Sequence, residues 1–327
     1  MQVVLIDARN SMYRNAHVGR NLHASSGQAT GAVHGLLMGM LALKKRFTDA
    51  KFVVVWDGAD TINSWRGEVF SAYKANRRVN VTEDLKALRA SVVSQIGVAK
   101  QLFDVIGVSQ IEIAKLEADD MIGILSEKCA GHSWPVTVYS NDQDYLQLMA
   151  FGVDVLRGAS ERKVTAKDIK SKWSCDVANL LKLRALLGDH SDGIPRAVPG
   201  VGPVAAAHYI SAGVDASVPR FEDLPRAVRQ EAVRLESYWP TVHMNWRLMK
   251  ILRSCGDPDF PQELATAVTV ETRRVLKELS RPAHRDAERY QEMLTMLAVM
   301  ELSVAIENRR EIYWLQVVPD GSKPLRT

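Results

Sequence analysis

Three carboxylates crowd into four consecutive positions at Glu117-Ala118-Asp119-Asp120, directly before the apolar helical run Met121 to Leu125. Glu117 and Asp120 share one helix face, and Asp119 projects beside them. Alone, such a cluster is explained by the helix dipole, which favours acids in a first turn. It is not alone. Asp7, Asp57 and the pair Asp142 and Asp144 each follow an apolar run, and Asp189 and Asp192 follow a helical pattern. Brought to one place, these acids would repel one another and lift each other's pKa values unless cations intervened. The fitting cations are hard ones, Mg²⁺ or Mn²⁺, which take oxygen ligands and retain several waters. Two such ions about 4 Å apart activate water and stabilise the leaving oxygen in phosphodiester hydrolysis. Ca²⁺ storage is a competing use, but these acids come from distant segments rather than one continuous loop. A phosphatase would need a covalent nucleophile or a small closed pocket, and the sequence offers no sign of either.

The elements that must position these acids alternate in type. Val3 to Ile6, Phe52 to Trp56, Val108 to Ile113 and Val136 to Ser140 are short β-type runs, expected as strands buried on both faces. Thr30 to Phe47 has helical spacing and closes on Lys44-Lys45-Arg46, and Thr82-Glu83-Asp84 starts a long helix reaching about Ile106. Alternating strands and helices predict an α/β fold with a mainly parallel central sheet, whose ligands sit beyond the carboxyl ends of the strands. One strand ending in Asp is ordinary, because Asp caps helices and starts turns. Four strands delivering acids to one edge, with paired acids at two of them, weaken that explanation. A hairpin over Val153 to Val164 and a mostly helical stretch from Lys167 to Leu187 are expected next.

Between the second strand and the acidic cluster runs a basic, aromatic-interleaved segment containing Trp65, Arg66, Phe70, Tyr73, Lys74, Arg77 and Arg78. Its cations can meet phosphates and its rings can stack on unpaired bases. A solvated amphipathic helix is the plain alternative; the position beside the acidic edge favours substrate contact. Pro199-Gly200-Val201-Gly202-Pro203 opens an Ala-rich helix, where backbone amides can hold a phosphate without reading sequence. His190 stands beside Asp189, and a surface or hydrogen-bonding role is favoured over catalysis. Beyond Ser211 the patterns are helical, with further helices expected over Glu271 to Asn308. Met293, Met296 and Met300 are expected in the core, and Pro319 to Thr327 as a mobile polar tail.

The chain of 327 residues can bury a full core, and its 46% hydrophobic and 24% charged residues are those of a soluble globular protein. A net charge of +4 permits a polyanionic partner without demanding one. The 3 cysteines lack zinc spacing, and with no leader or membrane-length apolar run a reducing, cytoplasmic compartment is expected.

Together these motifs resemble the 5′-nuclease (flap endonuclease) superfamily, in particular stand-alone bacteriophage 5′-exonucleases and the 5′-nuclease domain of bacterial DNA polymerase I. Leu5-Ile6-Asp7 with Tyr13-Arg14, Thr30-Gly31-Ala32, Trp56-Asp57-Gly58, Glu117-Ala118-Asp119-Asp120, Asn141-Asp142-Gln143-Asp144, Gly188-Asp189 through Asp192, and Pro199-Gly200-Val201-Gly202 carry the likeness over about residues 1 to 212. The resemblance implies a nuclease core over 1–175 with a basic arch at about 63–106. It further implies a helix-three-turn-helix duplex-binding region over 176–255 that supplies Asp189 and Asp192, and a helical extension over 256–327. Asp57, Glu117, Asp119 and Asp142, completed by Asp7 and Asp120, would organise one metal, and Asp144, Asp189 and Asp192 a second. Lys74 and Arg77 would engage the scissile phosphate. Arg66, Tyr73 and Arg78 would steer the strand. Gly200 and Gly202 would hold the downstream duplex, with K⁺ in the loop. Gln143 departs from the usual Lys, Asn141 and Ala8 from Gly, and the Pro195–Pro199 interval is one residue longer than the usual spacing.

The implied activity is structure-selective 5′ nucleolysis, both 5′-3′ exonuclease and flap endonuclease, by two Mg²⁺ ions (Mn²⁺ substituting) in DNA replication and repair. The implied partner is DNA with 5′ flaps or ends, or an RNA–DNA hybrid, and the implied state is a monomer. The rivals are an RNase H-type 5′ nuclease, a non-catalytic junction binder of the same fold, and a phosphohydrolase of small esters.

Overall fold

The computed structural model describes residues 1–61, 64–79, 81–158, 162–281, 287–300 and 302. The strands are β1 (Gln2–Asp7), β2 (Ala50–Trp56), β3 (Ser109–Glu112), β4 (Val136–Tyr139), β5 (Asp154–Arg157) and β6 (Arg162–Lys163). The helices before β4 are α1 (Ala8–Val18), α2 (Gly31–Arg46), α3 (Trp65–Val69), α4 (Glu83–Ile106) and α5 (Ala118–Gly131). After β6 come α6 (Ala166–Trp173), α7 (Leu180–Leu187), α8 (Pro203–Ser211), α9 (Arg226–Glu231), α10 (Trp239–Met249), α11 (Ala265–Ser280) and α12 (Ala287–Val299).

Among the described residues these strands form one six-stranded sheet in the order β3-β2-β1-β4-β5-β6. The first five strands of that order run parallel, and only β6 runs antiparallel, against β5. The wholly apolar runs are explained by cover on both sides. Val3, Leu5, Val53, Val55 and Val138 face a core shared with α5, α7, α8, α10 and α11. Val4, Ile6, Phe52, Val54 and Tyr139 face one shared with α1, α2, α4 and α12. Alternate side chains point to opposite faces, so each strand serves both layers.

Local signals place the long helices as expected. The Thr82 side chain accepts from Leu85 N at the start of α4, which stops at Gly107 with φ 80°. Lys44, Lys45 and Arg46 close α2. Two elements add detail that the sequence pattern does not carry. α1 has only a narrow apolar stripe, Ala8, Met12 and Ala16, too sparse to read as a helical face. It forms because Asp7 caps it and because it packs on α2 where Gly31 and Gly35 leave room: a Cβ on Gly31 would stand 2.2 Å from Gly19 O. The stretch Lys167 to Leu187 is two helices, because Ser174 turns left-handed at φ 56° and ends α6 before α7 begins. At the far end, Met293 and Met300 are buried in the core shared with α4, as expected, while Met296 is only partly buried against it. Residues 303–308 and the tail Pro319 to Thr327 lie outside the described residues.

The turn after β2 is laced to the turn before α5. Gly58 N donates to Leu116 O (3.0 Å) and Lys115 N to Ala59 O (2.7 Å). A Cβ on Gly58 would sit 1.8 Å from Ile113 O, a backbone atom that cannot yield cheaply. Gly58→Ala should therefore destabilise the fold by about 1–3 kcal/mol, as overpacking does. Urea unfolding measures this, and an unchanged midpoint would contradict the close approach.

Candidate active site

Strand order reverses between β1 and β4, and doubly wound sheets open a crevice beyond the strand ends at such a point. A cleft of about 840 Å³ lies there, lined by Asp7, Asp57, Glu117, Asp119 and Asp142 and by Lys74, Arg77 and Arg78. Asp7 ends β1 and also caps α1, accepting from Asn10 N (3.0 Å). Its other oxygen accepts from Ser140 Oγ (3.0 Å) and the Tyr145 hydroxyl (3.2 Å), which span the gap from the β4 side. Burial, with Asp57 and Asp142 close by, pushes the Asp7 carboxyl up to about 7. Ser140 Oγ in turn accepts from Asp142 N (3.1 Å), and Asp142 accepts from Asp144 N (2.9 Å). Burial and the Asp144 charge push Asp142 up to about 6. Asp57 accepts from Ala118 N (3.0 Å), holding the end of β2 against the start of α5. Burial holds Asp119 well above the usual carboxylate range, more than Arg66 lowers it, and Asp120 and Glu117 add to the rise.

Other acids are already neutralised by the chain. Lys74, left-handed at φ 55°, donates to Glu117 Oε1 (2.6 Å), while Tyr73 (3.1 Å) and Arg66 (3.2 Å) reach Oε2. Burial opposes the Glu117 charge, but Lys74 and Arg66 outweigh it and hold the group below its usual range. Arg77 pairs with Asp192, whose carboxyl is nonetheless raised by burial against the pull of Lys74 and Arg77. Lys74 N donates to Asp192 O (2.8 Å) and Asn76 Nδ2 to His190 O (2.7 Å), so the basic segment lies directly on the 189–192 loop. Buried Arg184 joins Asp144 through Nη1 to Asp189 through Nη2 (2.8 Å). Burial opposes the Asp189 charge, but bonds from Ser191 and Arg184 keep it below its usual range. Asp144, Asp189 and Asp192 stand outside the lining of the cleft. Among the described residues no three acidic, histidine or cysteine side chains already enclose a metal-sized point.

Three expectations are corrected. Asp120 is 0% exposed, and its oxygens accept from Trp65 Nε1, Leu252 N and both terminal nitrogens of Arg66. Four donors fill a carboxylate's acceptor sites, leaving none for a metal. Arg66 is 1% exposed with every N–H engaged inside the protein, so it steers no strand. Tyr73 is buried against Ile194, Leu248 and Met249, which removes its ring as a stacking platform. Arg78 is exposed and lines the cleft. Gly200 turns at φ 74°, and Gly202 precedes α8 in a separate surface hollow beside His208 and Tyr209. His190 is exposed and bonds through its carbonyl.

Sequence reasoning assigned no role to Ser140, Tyr145, Gln147 and Arg184, and Trp65, expected as a stacking ring, is instead buried and donates to Asp120. Of these, Arg184 carried a signal, an arginine within the apolar run Leu180 to Leu187 and five residues before an aspartate.

The family model for the 5′-3′ exonuclease, N-terminal resolvase-like domain, matches residues 2–174. DNA polymerase I of Pseudomonas aeruginosa is 26% identical over 98% of this chain, which spans only 36% of that protein. A 5′-3′ exonuclease of Buchnera aphidicola subsp. Schizaphis graminum is 26% identical, covering 76% of this chain and 85% of that one. The fold matches that of the T5 D15 protein co-crystallised with metal ions with a TM-score of 0.66 at 20% identity, over 85% of this chain and 99% of that one.

Folded Asp7 holds its proton to about pH 7, against 3.8 for the ordinary carboxyl. Between those values the native state binds more protons than the unfolded chain, so Asp7 makes stability fall as pH rises. In EDTA, Asp7→Asn should gain stability relative to wild type as pH climbs through that window. Urea titrations of both proteins check this, and a constant difference between them would refute it.

Proposed function

The chain belongs to the 5′-3′ exonuclease family, and from that premise we propose that it is a metal-dependent, structure-selective 5′ nuclease acting at single-strand/duplex junctions. The observation that carries this is the switch-point cleft, where Asp7, Asp57, Glu117, Asp119 and Asp142 face Lys74, Arg77 and Arg78. All-oxygen donors of this kind fit hard divalent cations, Mg²⁺ with Mn²⁺ as a substitute. When bound, two such ions lower the pKa of an attacking water and take up charge on the leaving oxygen.

The residues divide the remaining work. Asp7, Asp57, Asp119 and Asp142 would hold one ion, with Glu117 beside them. Asp144, Asp189 and Asp192 would serve the second position, exchanging Arg184 and Arg77 for the metal. Lys74 and Arg77 would set positive charge beside the phosphoryl oxygens, on which negative charge builds in the transition state. Arg78 and Arg89, also at the cleft, attract the backbone of the single strand. The amides opening α8 after Gly200 and Gly202 would hold the downstream duplex by its phosphates, with K⁺ at the hairpin carbonyls. Nothing in this set reads base edges, so the substrate would be chosen by shape. DNA with a 5′ flap or end, or an RNA–DNA hybrid of that shape, would serve, and the protein would act as a monomer in replication and repair.

A 5′-flap duplex should be cut when Mg²⁺ is added and spared when EDTA is present. Asp119→Asn should lower the single-turnover rate by about 100-fold or more while leaving flap binding within a few-fold. A folded wild-type protein that leaves flaps, hybrids and 5′ ends intact in Mg²⁺ would sink the proposal. Binding without cleavage would mark a junction binder.

A further inference from the structure

We propose that α10 and the residues that follow it to Leu252 form a template setting the spacing of the acid-bearing loops. Arg66, Gln147 and Asn245 would be its positioning residues. The inference rests on the nuclease reading, and its template lies beyond the matched domain of residues 2–174, which contains Arg66 and Gln147.

Each loop is held by a separate clasp. At the first, all five N–H groups of Arg66 find acceptors. Nε donates to Leu248 O (2.8 Å), Nη2 to Lys250 O (2.8 Å) and Asp120 Oδ1 (2.9 Å), and Nη1 to Asp120 Oδ2 (2.7 Å) and Glu117 Oε2 (3.2 Å). The guanidinium therefore caps the carbonyl end of α10, where a cation is favoured, while gripping the acidic turn of α5. Leu252 N donates to Asp120 Oδ1 (2.9 Å), and Gly123 is bare where Leu252 O approaches: a Cβ there would stand 2.3 Å away.

At the second clasp, Gln147 Nε2 donates to Met249 O (2.9 Å) and to Asp144 O (2.9 Å), and its Oε1 accepts from Ile251 N (3.0 Å). At the third, fully buried Asn245 donates to Ala185 O (3.0 Å) and Pro195 O (2.8 Å), the two sides of the loop carrying Asp189 and Asp192. One helix and its exit thus touch the Glu117, Asp144 and Asp189 loops. The carbonyls of residues 248 to 250 and the amides of 251 and 252 are bonded alternately by the Arg66–Asp120 pair on one flank and Gln147 on the other. Groups that fix liganding residues from behind affect metal affinity and turnover rather than substrate binding.

The test uses the full chain with Gln147→Leu and Arg66→Lys. The first keeps the volume and loses three bonds; the second keeps the charge and loses the planar fork. Each is expected to lower the saturated single-turnover rate by about 10-fold or more and to raise the Mg²⁺ concentration needed for half the maximal rate. Flap binding measured in EDTA should stay within about two-fold of wild type, with unfolding still cooperative. Mg²⁺ binding followed by calorimetry without DNA should weaken in parallel, a readout that stands even if the substrate reading fails. Folded variants with wild-type rates and Mg²⁺ dependence would overturn the proposal, as would equal losses in rate and flap binding. Should Arg66→Lys fail to fold, Gln147→Leu decides the matter.

Discussion

A guanidinium buried to 1% exposure holds this protein's acidic centre together. Arg66 and Asp120 meet through two bonds of 2.7 and 2.9 Å in surroundings that exclude water. Such a pair gains little net stability over apolar packing, because both charges must be desolvated. Removing one partner is another matter and costs about 3–5 kcal/mol, since the other charge is left uncompensated. What the pair supplies is geometry. Both groups are saturated with bonds, so neither turns without breaking several, and Glu117 and Asp119 stand on the same turn of helix.

Around that fixed pair the remaining acids fall into two electrostatic classes. Glu117, Asp189 and Asp192 carry partners from the chain, Lys74, Arg184 and Arg77. Asp7 and Asp142 have no such ion pair among the described residues, and Asp119 has only a 3.8 Å contact to the Arg66 already bound to Asp120. Burial holds all three, like Asp192, above the usual carboxylate range. A buried carboxyl so raised favours any cation that restores its charge. The cleft thus carries raised carboxyls at Asp7, Asp119 and Asp142, while Asp189 and Asp192, outside its lining, are paired by the chain. The positions lined with raised carboxyls are the ones a divalent ion gains most by occupying.

Much of the frame was legible in the sequence because it depends on short-range patterns. Val3 to Ile6 and Phe52 to Trp56 are apolar at every position, which only a strand covered on both faces tolerates. Asp7, Asp57, Glu117, Asp119 and Asp142 could be placed at one sheet edge from parallel topology alone. α1 was illegible because its stability comes from packing on glycines of α2 rather than from an apolar stripe. Asp120 and Arg66 were misplaced for a related reason. Helical spacing puts Asp120 on the face of Glu117, yet nothing local says that the chain returns 132 residues later to cover it. Charge in sequence reads as exposure, and burial of a charge is decided by tertiary partners.

The two buried clasps on Asp120 and Gln147 also explain why the helical half is not an appendage to the sheet. The core on the α5 side runs without a break from Val3 and Val138 through α7 and α10 to α11. A sheet can bring strand ends to one edge, but the loops beyond those ends are free to spread, and like charges push them apart. Something must oppose that push before any ion arrives. Backbone groups at the end of α10 do so at no cost in charge, since a carbonyl or amide holds a loop without adding to the repulsion it restrains. The acids nearest α10 can therefore stay close to one another while those at the β1–β4 crevice remain unneutralised.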